Sequence, residues 1–574
     1  MNEFETRLIL SKVALGEIPP DTVITKGTLF NSVTREFIKG QSIWIKGDRI
    51  AYVGPDHHFL KNQKTEVIDA SDMVILPGLI EGHTHSVGNR YGIAEFVKHV
   101  IPTGVTTVVT EVMETGTISG KDGIEYSVRG LEGQPTRFYY TIPPLCGLTP
   151  SEEVMAPSNE ALIPFLKDPK CLGIGEIYWG NIFLEGVQGK RVKDLIAIAL
   201  RMGKLVEGHT TGANEKKLQA CTDFGISSCH EPITEEEILA RLRLGYWVMI
   251  REGSVRKELS GVSGIFRKKI DFRRLILSTD GVGPVEFLAE GYLDGSLRSG
   301  LKLGIPPEVL YQMVTINVAE HFRLDHLIGS LSPGRKADLV IIPSPNEFSP
   351  QLVMCDGRII FKDGKPQVEP KKVVYPEHLF KTVKIENYTI PPLPTHGKVR
   401  VMEMVSRLVT KESVIDLDQP EESEDVIMVL ALDRLGNRGA FMGFLKGFGL
   451  QRGAYGTTTS WDSLDMIVVG CNPQSMKTVI ERLKKIGGGY VFAIGDEVVA
   501  EFPAPLCGLN SLKPMETIRD EIKHLEECLR ENGVKWEKPL LTVETLSTAA
   551  IPHLRINHRG YVRLKDRKIL PVEP

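Results

Sequence analysis

The sequence has few cysteines, and none of them has the spacing of a metal or redox pair. Its eight cysteines are scattered along 574 residues, and no C-x-x-C motif occurs. This pattern predicts reduced thiols in a cytoplasmic protein rather than a disulfide framework. Cys229 directly precedes the candidate ligand His230. Because neighbouring side chains in an extended segment face opposite ways, we predict that Cys229 is a packed thiol.

Long apolar runs and clustered positive charge are missing as well. No stretch approaches the ~20 apolar residues of a membrane-spanning helix, and the charged N-terminus lacks the apolar core of a signal peptide. The net charge is −4, and no basic run carries interleaved aromatics. With 42% hydrophobic and 25% charged residues, the composition is typical of globular proteins. We therefore predict a soluble enzyme that binds neither nucleic acid nor membrane.

The most informative segment places two histidines at the end of an apolar run. His83 and His85 follow Pro77-Gly78 and are separated by a single threonine. Side chains at positions i and i+2 of a strand lie on one face, so both imidazoles can reach the same metal. Taken alone, the pair fits two solvated or hydrogen-bonded histidines equally well.

Later apolar runs end on metal-competent side chains in the same way. They lead to Glu176, His209, His230 and Asp280. Parallel strands buried on both faces read as continuous apolar runs, and the functional residues of a (β/α)8 barrel lie at the carboxyl ends of its strands. Any one of these residues could be an ordinary buried polar group, but all six together predict a metal site. Four histidines and two carboxylates suit two divalent ions (zinc, manganese or iron) better than one.

The order of elements predicts an α/β chain with several domains. Strand-like and helical segments alternate through the middle of the sequence, whereas hairpin-like β segments flank it on both sides. We predict a (β/α)8 barrel, a small β-sandwich built from both flanks and an extra C-terminal α/β domain. The predicted bounds are 1–75 and 331–370 for the sandwich, 76–330 for the barrel, 371–400 for a proline-rich linker and 401–574 for the C-terminal domain.

The ligand order resembles that of the amidohydrolase superfamily of binuclear metal hydrolases, and longer stretches resemble its adenine deaminases. These stretches are residues 77–83, 173–176, 225–231, 249–254 and 334–340, together with 444–450 and 486–489 beyond the barrel. The resemblance implies that water activated by two metals hydrolyses a C–N bond, as in the conversion of adenine and water to hypoxanthine and ammonia. It also implies a small nucleobase-like or amide substrate, a homo-oligomer and a C-terminal domain of the adenine deaminase type.

The resemblance further implies roles for individual residues. The metal ligands are His83, His85, Glu176, His209, His230 and Asp280, with Glu176 in the bridging place that a carboxylated lysine fills in many relatives. Asp280 would be the catalytic proton carrier, with Glu114 as the second catalytic candidate. Glu231, Arg251 and Glu252 are candidates for substrate binding, although a solvated ion pair fits Arg251 and Glu252 equally well.

Several positions depart from the adenine deaminase pattern while the ligands persist. Ser86-Val87-Gly88 replaces Glu-Ser-Ser after the histidine pair, and Gly281 replaces a second aspartate after Asp280. Residues 111–114 keep only the last acid of Asp-Pro-His-Glu, and 461–464 read Trp-Asp-Ser-Leu instead of His-Asp-Ser-His. These changes predict weakened adenine recognition with hydrolysis retained. Cleavage of a cyclic or linear amide and a non-catalytic scaffold stay open as alternatives. Residues 461–464 fit either a pocket wall or a packed surface loop.

Overall fold

The centre of the molecule is a barrel of parallel strands. The computed structural model describes residues 2–86 and 89–574, so Val87 and Gly88, two of the departing positions, lie outside the described residues. Within those ranges the barrel strands are β1 (Leu79–Thr84), β2 (Val105–Glu111), β3 (Arg137–Ile142), β4 (Cys171–Tyr178), β5 (Leu205–His209), β6 (Ser228–Cys229), β7 (Trp247–Arg251) and β8 (Leu275–Ser278). Strands β1 to β5 pair in parallel, as do β6 to β8.

Two backbone contacts join these groups of strands into a ring. A parallel bridge links Val206 to Ile226 on the β5–β6 side. On the other side, the Asp280 amide donates to the His83 carbonyl at 3.1 Å. The barrel strands are buried almost throughout, as their continuous apolar sequences predict. The barrel therefore brings the carboxyl ends of all its strands to one face.

Helices surround the barrel and return the chain from one strand to the next. They are Ile93–Val100, Met113–Leu131, Asn159–Lys167, Trp179–Ile182, Gly186–Arg201, Glu215–Asp223, Glu235–Arg243, Pro284–Glu290, Leu293–Lys302, Pro307–Met313 and Ile316–His321. The helix Glu235–Arg243 shows why such segments start where they do. The Thr234 hydroxyl accepts a hydrogen bond from the Glu237 amide at 3.2 Å, which satisfies a free N–H of the first turn. Thr234 is therefore the N-cap of this helix.

The β segments at the two flanks of the barrel join in one sheet. Its strands are Thr22–Asn31, Glu36–Lys46, Arg49–Pro55, Glu66–Asp69 and Val74–Pro77 before the barrel, and Leu339–Ile342, Leu352–Cys355, Arg358–Lys362 and Lys365–Pro366 after it. Leu339–Ile342 pairs antiparallel with Val74–Pro77, so the predicted union of the flanks is confirmed. The chain passes from this sheet into β1 at Gly78, where a Cβ would lie 2.2 Å from the Thr106 hydroxyl. The helix Glu3–Ala14 precedes the sheet.

The last third of the chain forms a unit rich in β-sheet. Its main sheet contains Lys398–Met404, Thr410–Asp416, Val426–Asp433, Ala440–Lys446, Ala454–Thr457, Asp465–Gly470, Gly489–Ile494 and Glu497–Pro503. A smaller sheet contains Leu554–Asn557, Gly560–Arg563 and Lys568–Leu570, and the helices are Pro420–Ser423, Pro473–Ile486, Met515–Glu531 and Pro539–Glu544. Gly487 ends one of these helices in the left-handed region (φ 77°), so the glycine triplet 487–489 starts as a helix stop.

Two sequence expectations concern the whole chain. All eight cysteines are free thiols, and Cys229 is buried with its sulfur 2.8 Å from the Thr210 hydroxyl, as expected for a packed thiol. Among residues 2–86 and 89–574, no helix combines the length and the apolar character that a membrane span requires.

Candidate metal centre and substrate cavity

The structure brings the six predicted ligands together at the carboxyl ends of the barrel strands. His83 lies in β1 with His85 just beyond it, Glu176 lies in β4 and His209 ends β5. His230 follows β6, and Asp280 lies two residues beyond β8. Their donor atoms form overlapping groups whose members lie within 4.8 Å of one another: His83, His230 and Asp280; His83, His85 and Glu176; and Glu176, His209 and His230.

Glu176 stands between two sets of histidines. Its Oε1 lies 3.4 Å from His85 Nε2, and its Oε2 lies 2.6 Å from His209 Nδ1 and 3.1 Å from His230 Nε2. One carboxylate therefore faces both halves of the cluster. Imidazole nitrogens and carboxylate oxygens are the donors that zinc, manganese and iron accept, so the residues present fit a metal centre.

Asp280 closes the cluster on the side opposite His209. Its Oδ1 lies 3.1 Å from His83 Nε2 and 3.4 Å from His85 Nε2. Burial alone would raise the pKa of Asp280, but hydrogen bonds to His83 and His85 and nearby positive charge hold that pKa well below its usual range. Burial likewise opposes ionisation of Glu176, whereas His209 and His230 hold its pKa well below the usual range. Both carboxyl groups are thus anionic, as metal ligands must be.

A second layer of glutamates orients the histidine pair. Glu114 Oε1 lies 2.6 Å from His85 Nδ1, and Glu111 Oε1 lies 3.7 Å from His83 Nδ1. In both histidines Nε2 faces the cluster while Nδ1 faces an acid. For His85 the contact is a hydrogen bond, which fixes the ring and its tautomer. Glu111 was not predicted as a site residue, although it is an acid at the end of an apolar run, as the predicted ligands are.

Arg251 is buried and forms ion pairs with Asp280 and with the acids near it. Its guanidinium lies 3.2 Å from Asp280 Oδ2 and 2.8 Å from Glu258 Oε1, and it also pairs with Glu231. Arg251 is only 4% exposed and pairs with these acids. The alternative of a solvated ion pair between Arg251 and Glu252 is therefore wrong.

Glu231 and Glu252 lie in different surroundings. Glu231 lines the cavity and accepts a hydrogen bond from the Thr211 hydroxyl at 2.5 Å. The Glu252 carboxylate instead accepts from the Leu259 amide at 3.1 Å and the Ser299 hydroxyl at 2.9 Å. Because Arg251 points into the barrel mouth, its chain neighbour points away, and the structure leaves Glu252 outside the cavity.

A cavity of about 480 Å³ opens above the cluster. The barrel supplies Glu114, Arg251 and Asp280 to its wall, and the C-terminal unit supplies Trp461 and Asp462. Of the two interpretations of residues 461–464, the pocket wall therefore holds for Trp461 and Asp462.

Asp462 connects the C-terminal unit to the floor of the cavity. Its carboxylate accepts from the Tyr178 hydroxyl at 3.0 and 3.1 Å and from the Thr548 hydroxyl at 2.5 Å. Burial raises the pKa of Asp462 to about 6. Two other departing positions differ in their surroundings. Met113 lines the cavity, whereas Leu464 packs in a separate apolar cluster with Leu506.

Gly281 is held in a backbone conformation that favours glycine. Its φ is +99°, and a Cβ added there would lie 2.6 Å from the side-chain nitrogen of Asn89. Asn89 in turn donates to the His85 carbonyl at 2.6 Å. A side chain at the position that carries a second aspartate in the family pattern would therefore strain the backbone and displace Asn89.

The contact between the barrel and the C-terminal unit contains a buried acid. Glu152 accepts from the Thr149 amide at 2.9 Å, from Ser463 at 3.2 Å and from Asn557 at 3.3 Å. Burial, and then the charge of Asp465, raise the pKa of Glu152 from 4.5 to about 8. The folded chain therefore keeps a proton there that the unfolded chain releases above pH 4.5.

Glu152→Gln is expected to flatten the dependence of stability on pH. Since the folded-state pKa is raised, wild-type stability falls between pH 4.5 and 8 by up to about 1.4 kcal/mol per pH unit. Glutamine cannot ionise, so the melting temperature of the variant should rise relative to wild type as the pH increases from 5 to 8. Thermal unfolding across that range measures the difference, and a difference that does not change with pH would contradict the assignment.

Comparison with known proteins gives two family matches. Residues 74–360 match the amidohydrolase family, and residues 403–568 match the adenine deaminase C-terminal domain. An adenine deaminase of Clostridium botulinum is 32% identical over 98% of this chain and 97% of its own length. One from Moorella thermoacetica is 31% identical over 96% of both chains. A D-hydantoinase structure shows 15% identity with a TM-score of 0.47 and covers 61% of this chain and 97% of that one.

Proposed function

Because the chain belongs to the adenine deaminase family of the amidohydrolases, we propose that it hydrolyses a C–N bond of an aminopurine-like base and releases ammonia. The proposal includes two divalent ions held by His83, His85, Glu176, His209, His230 and Asp280. The observation that carries it is the position of Glu176, whose two oxygens face different histidines. All six ligands are present, which argues against a scaffold that has lost catalysis.

In this proposal the protein's own groups position and move the proton. Divalent ions bound at the cluster would supply Lewis acidity and lower the pKa of water to about 7. Asp280 accepts the proton that water loses and returns it to the leaving nitrogen, as a general base and then a general acid. Asp280 adopts a left-handed backbone conformation (φ 54°), and contacts from His83 and Arg251 fix both of its oxygens. Its carboxylate is thereby aimed before the substrate arrives.

The substrate pocket predicts slow turnover of adenine itself. Met113 and Trp461 line the cavity where the family pattern has histidines, and Gly281 carries no side chain. When the ring nitrogens of a bound base have no hydrogen-bond partners, the base binds more weakly, because each unpaired buried polar group costs free energy. We expect kcat/KM for adenine below about 10⁴ M⁻¹s⁻¹, the lower end of ordinary enzymes.

A substrate panel tests the proposal. Metal-replete enzyme is incubated with adenine, other aminopurines, pterins, cyclic amides and N-acyl compounds, and ammonia release and mass change are followed. Ammonia release from an aminopurine, abolished by a chelator and restored by metal, is the expected result. Cleavage of an amide without deamination of any base would replace the proposal by the amide-hydrolase alternative. A kcat/KM for adenine above about 10⁴ M⁻¹s⁻¹ would refute the prediction that the altered pocket weakens adenine recognition.

A further inference from the structure

The cationic side chains that line the cavity are paired with acids, apart from Arg256. Arg90 pairs with Glu544, Arg251 with Glu231 and Glu258, Arg530 with Glu526 at 2.9 Å, and Lys538 with Glu286 at 2.7 Å. Arg256 also lines the cavity and is half-buried. Within the described residues its guanidinium has neither an ion-pair nor a hydrogen-bond partner. The cavity therefore contains one guanidinium available to a ligand.

The charges of Glu258 and Glu231 favour the Arg256 cation, but in the part of the chain that the structure describes the acids that line the cavity are held by other partners. Glu231 is held by Arg251, Glu286 by Lys538, and Glu537 by Arg407 at 3.2 Å. Burial, followed by the charge of Arg251, lowers the pKa of Arg256, which shows that its surroundings disfavour an unpaired cation. A guanidinium in such a place gains most from an incoming anion, which it can bind through two parallel N–H donors.

Arg256 lies on the loop that follows β7 and lines the same cavity as Glu176 and Asp280. The same loop begins after Arg251, whose guanidinium is 3.2 Å from Asp280. The cavity volume of about 480 Å³ is in the range of about 300–1,000 Å³ of sites for drug-sized ligands. A bare two-ring base fills only part of that space, so a base bearing a substituent can extend from the metal ligands toward Arg256.

We propose that Arg256 binds a carboxylate on the substrate, so that the preferred substrate is an amino-substituted heterocycle with one carboxylate. This inference rests on the proposed function and narrows its substrate class. A carboxylate is favoured over a phosphate because the other cations that line the cavity are already paired with acids, and a dianion would need a second free cation. A single guanidinium fork matches a single carboxylate.

Binding measurements on the full-length, metal-loaded enzyme test the role of Arg256. The ligands are adenines that carry a carboxymethyl group at C2, C8 or N9, each compared by calorimetry with its neutral carbamoylmethyl and its phosphonomethyl counterpart. For at least one attachment point we expect the carboxylate to bind at least about tenfold more tightly than the amide, as for a charge-assisted hydrogen bond. Arg256→Gln should reduce this ratio to about one, and Arg256→Glu should reverse it.

Lys257→Gln is the matched control. It removes the same charge one residue along the chain, but the Lys257 ammonium lies 2.5 Å from Glu290 and points away from the cavity. The ratio should stay at its wild-type value in this variant. Equal binding of carboxylate and amide at every attachment point, an equal loss in Lys257→Gln, or preference for the phosphonate would overturn the inference. Turnover is measured separately, so a deaminase without carboxylate preference and a carboxylate binder without deamination are distinguished.

Discussion

Asp280→Asn is expected to lower kcat by at least about 10²-fold, the low end of general acid–base contributions, while the chain stays folded. An amide keeps the size of the side chain but cannot accept a proton at neutral pH. The carboxylate contacts His83 through one oxygen and Arg251 through the other, at 3.1 and 3.2 Å, so the single amide oxygen can keep one of these contacts. Single-turnover kinetics on the best substrate of the panel, with metal content and melting temperature determined on the same samples, measure the effect.

Glu114→Gln is the comparison variant for Asp280. Glu114 contacts His85 Nδ1 at 2.6 Å, so we assign it an orienting role whose loss costs about tenfold in activity or metal affinity. The loss in Asp280→Asn should therefore exceed the loss in Glu114→Gln. If Asp280→Asn kept near-wild-type kcat while Glu114→Gln lost it, the proton-carrying role would pass to Glu114.

Glu176→Ala is expected to lower the metal content from about two ions per chain to less than one. Its two oxygens face His85 on one side and His209 and His230 on the other, so this substitution weakens both halves of the cluster. His209→Ala removes a donor from one half only and should leave about one ion. Elemental analysis after metal-replete expression and dialysis gives the stoichiometry.

An exposed acid provides the control for metal content. Glu215 lies in the first turn of the helix Glu215–Asp223 and is exposed, so Glu215→Ala should bind as much metal as wild type. A wild-type content near zero, or unchanged content in Glu176→Ala, would reject the binuclear site. If wild type held about one metal ion per chain and His209→Ala held none, the site would bind a single ion.

Local periodicity predicts the barrel and its strand-end ligands well, because each ligand depends only on its own strand. His83 and His85 share a face through strand alternation, and His209 and Asp280 are marked by the apolar runs that precede them. The same alternation predicts that Cys229 is packed away from the site. Alternation also places the Glu252 side chain outside the cavity. This can be deduced only after the structure shows that the Arg251 side chain points into the barrel mouth.

Other parts of the site depend on distant contacts and could not be predicted in this way. The pair Tyr178–Asp462 joins residues 284 positions apart, and sequence alone leaves Asp462 equally well in a pocket wall or a surface loop. The isolation of Arg256 is a property of its surroundings, since only the full set of neighbouring acids shows that none is free to pair with it. The role of Glu111 likewise appears only when β2 lies beside β1.

The packing of Asn89 against Gly281 limits how an engineer could convert this pocket toward a different specificity. Gly281→Asp on its own would drive a side chain into the Asn89 amide, at 2.6 Å from the new Cβ, on a backbone with φ +99°. Asn89 must move or be replaced, and its hydrogen bond to the His85 carbonyl is then lost. Because the two positions share one space, a library for a different specificity should randomise residues 89 and 281 together.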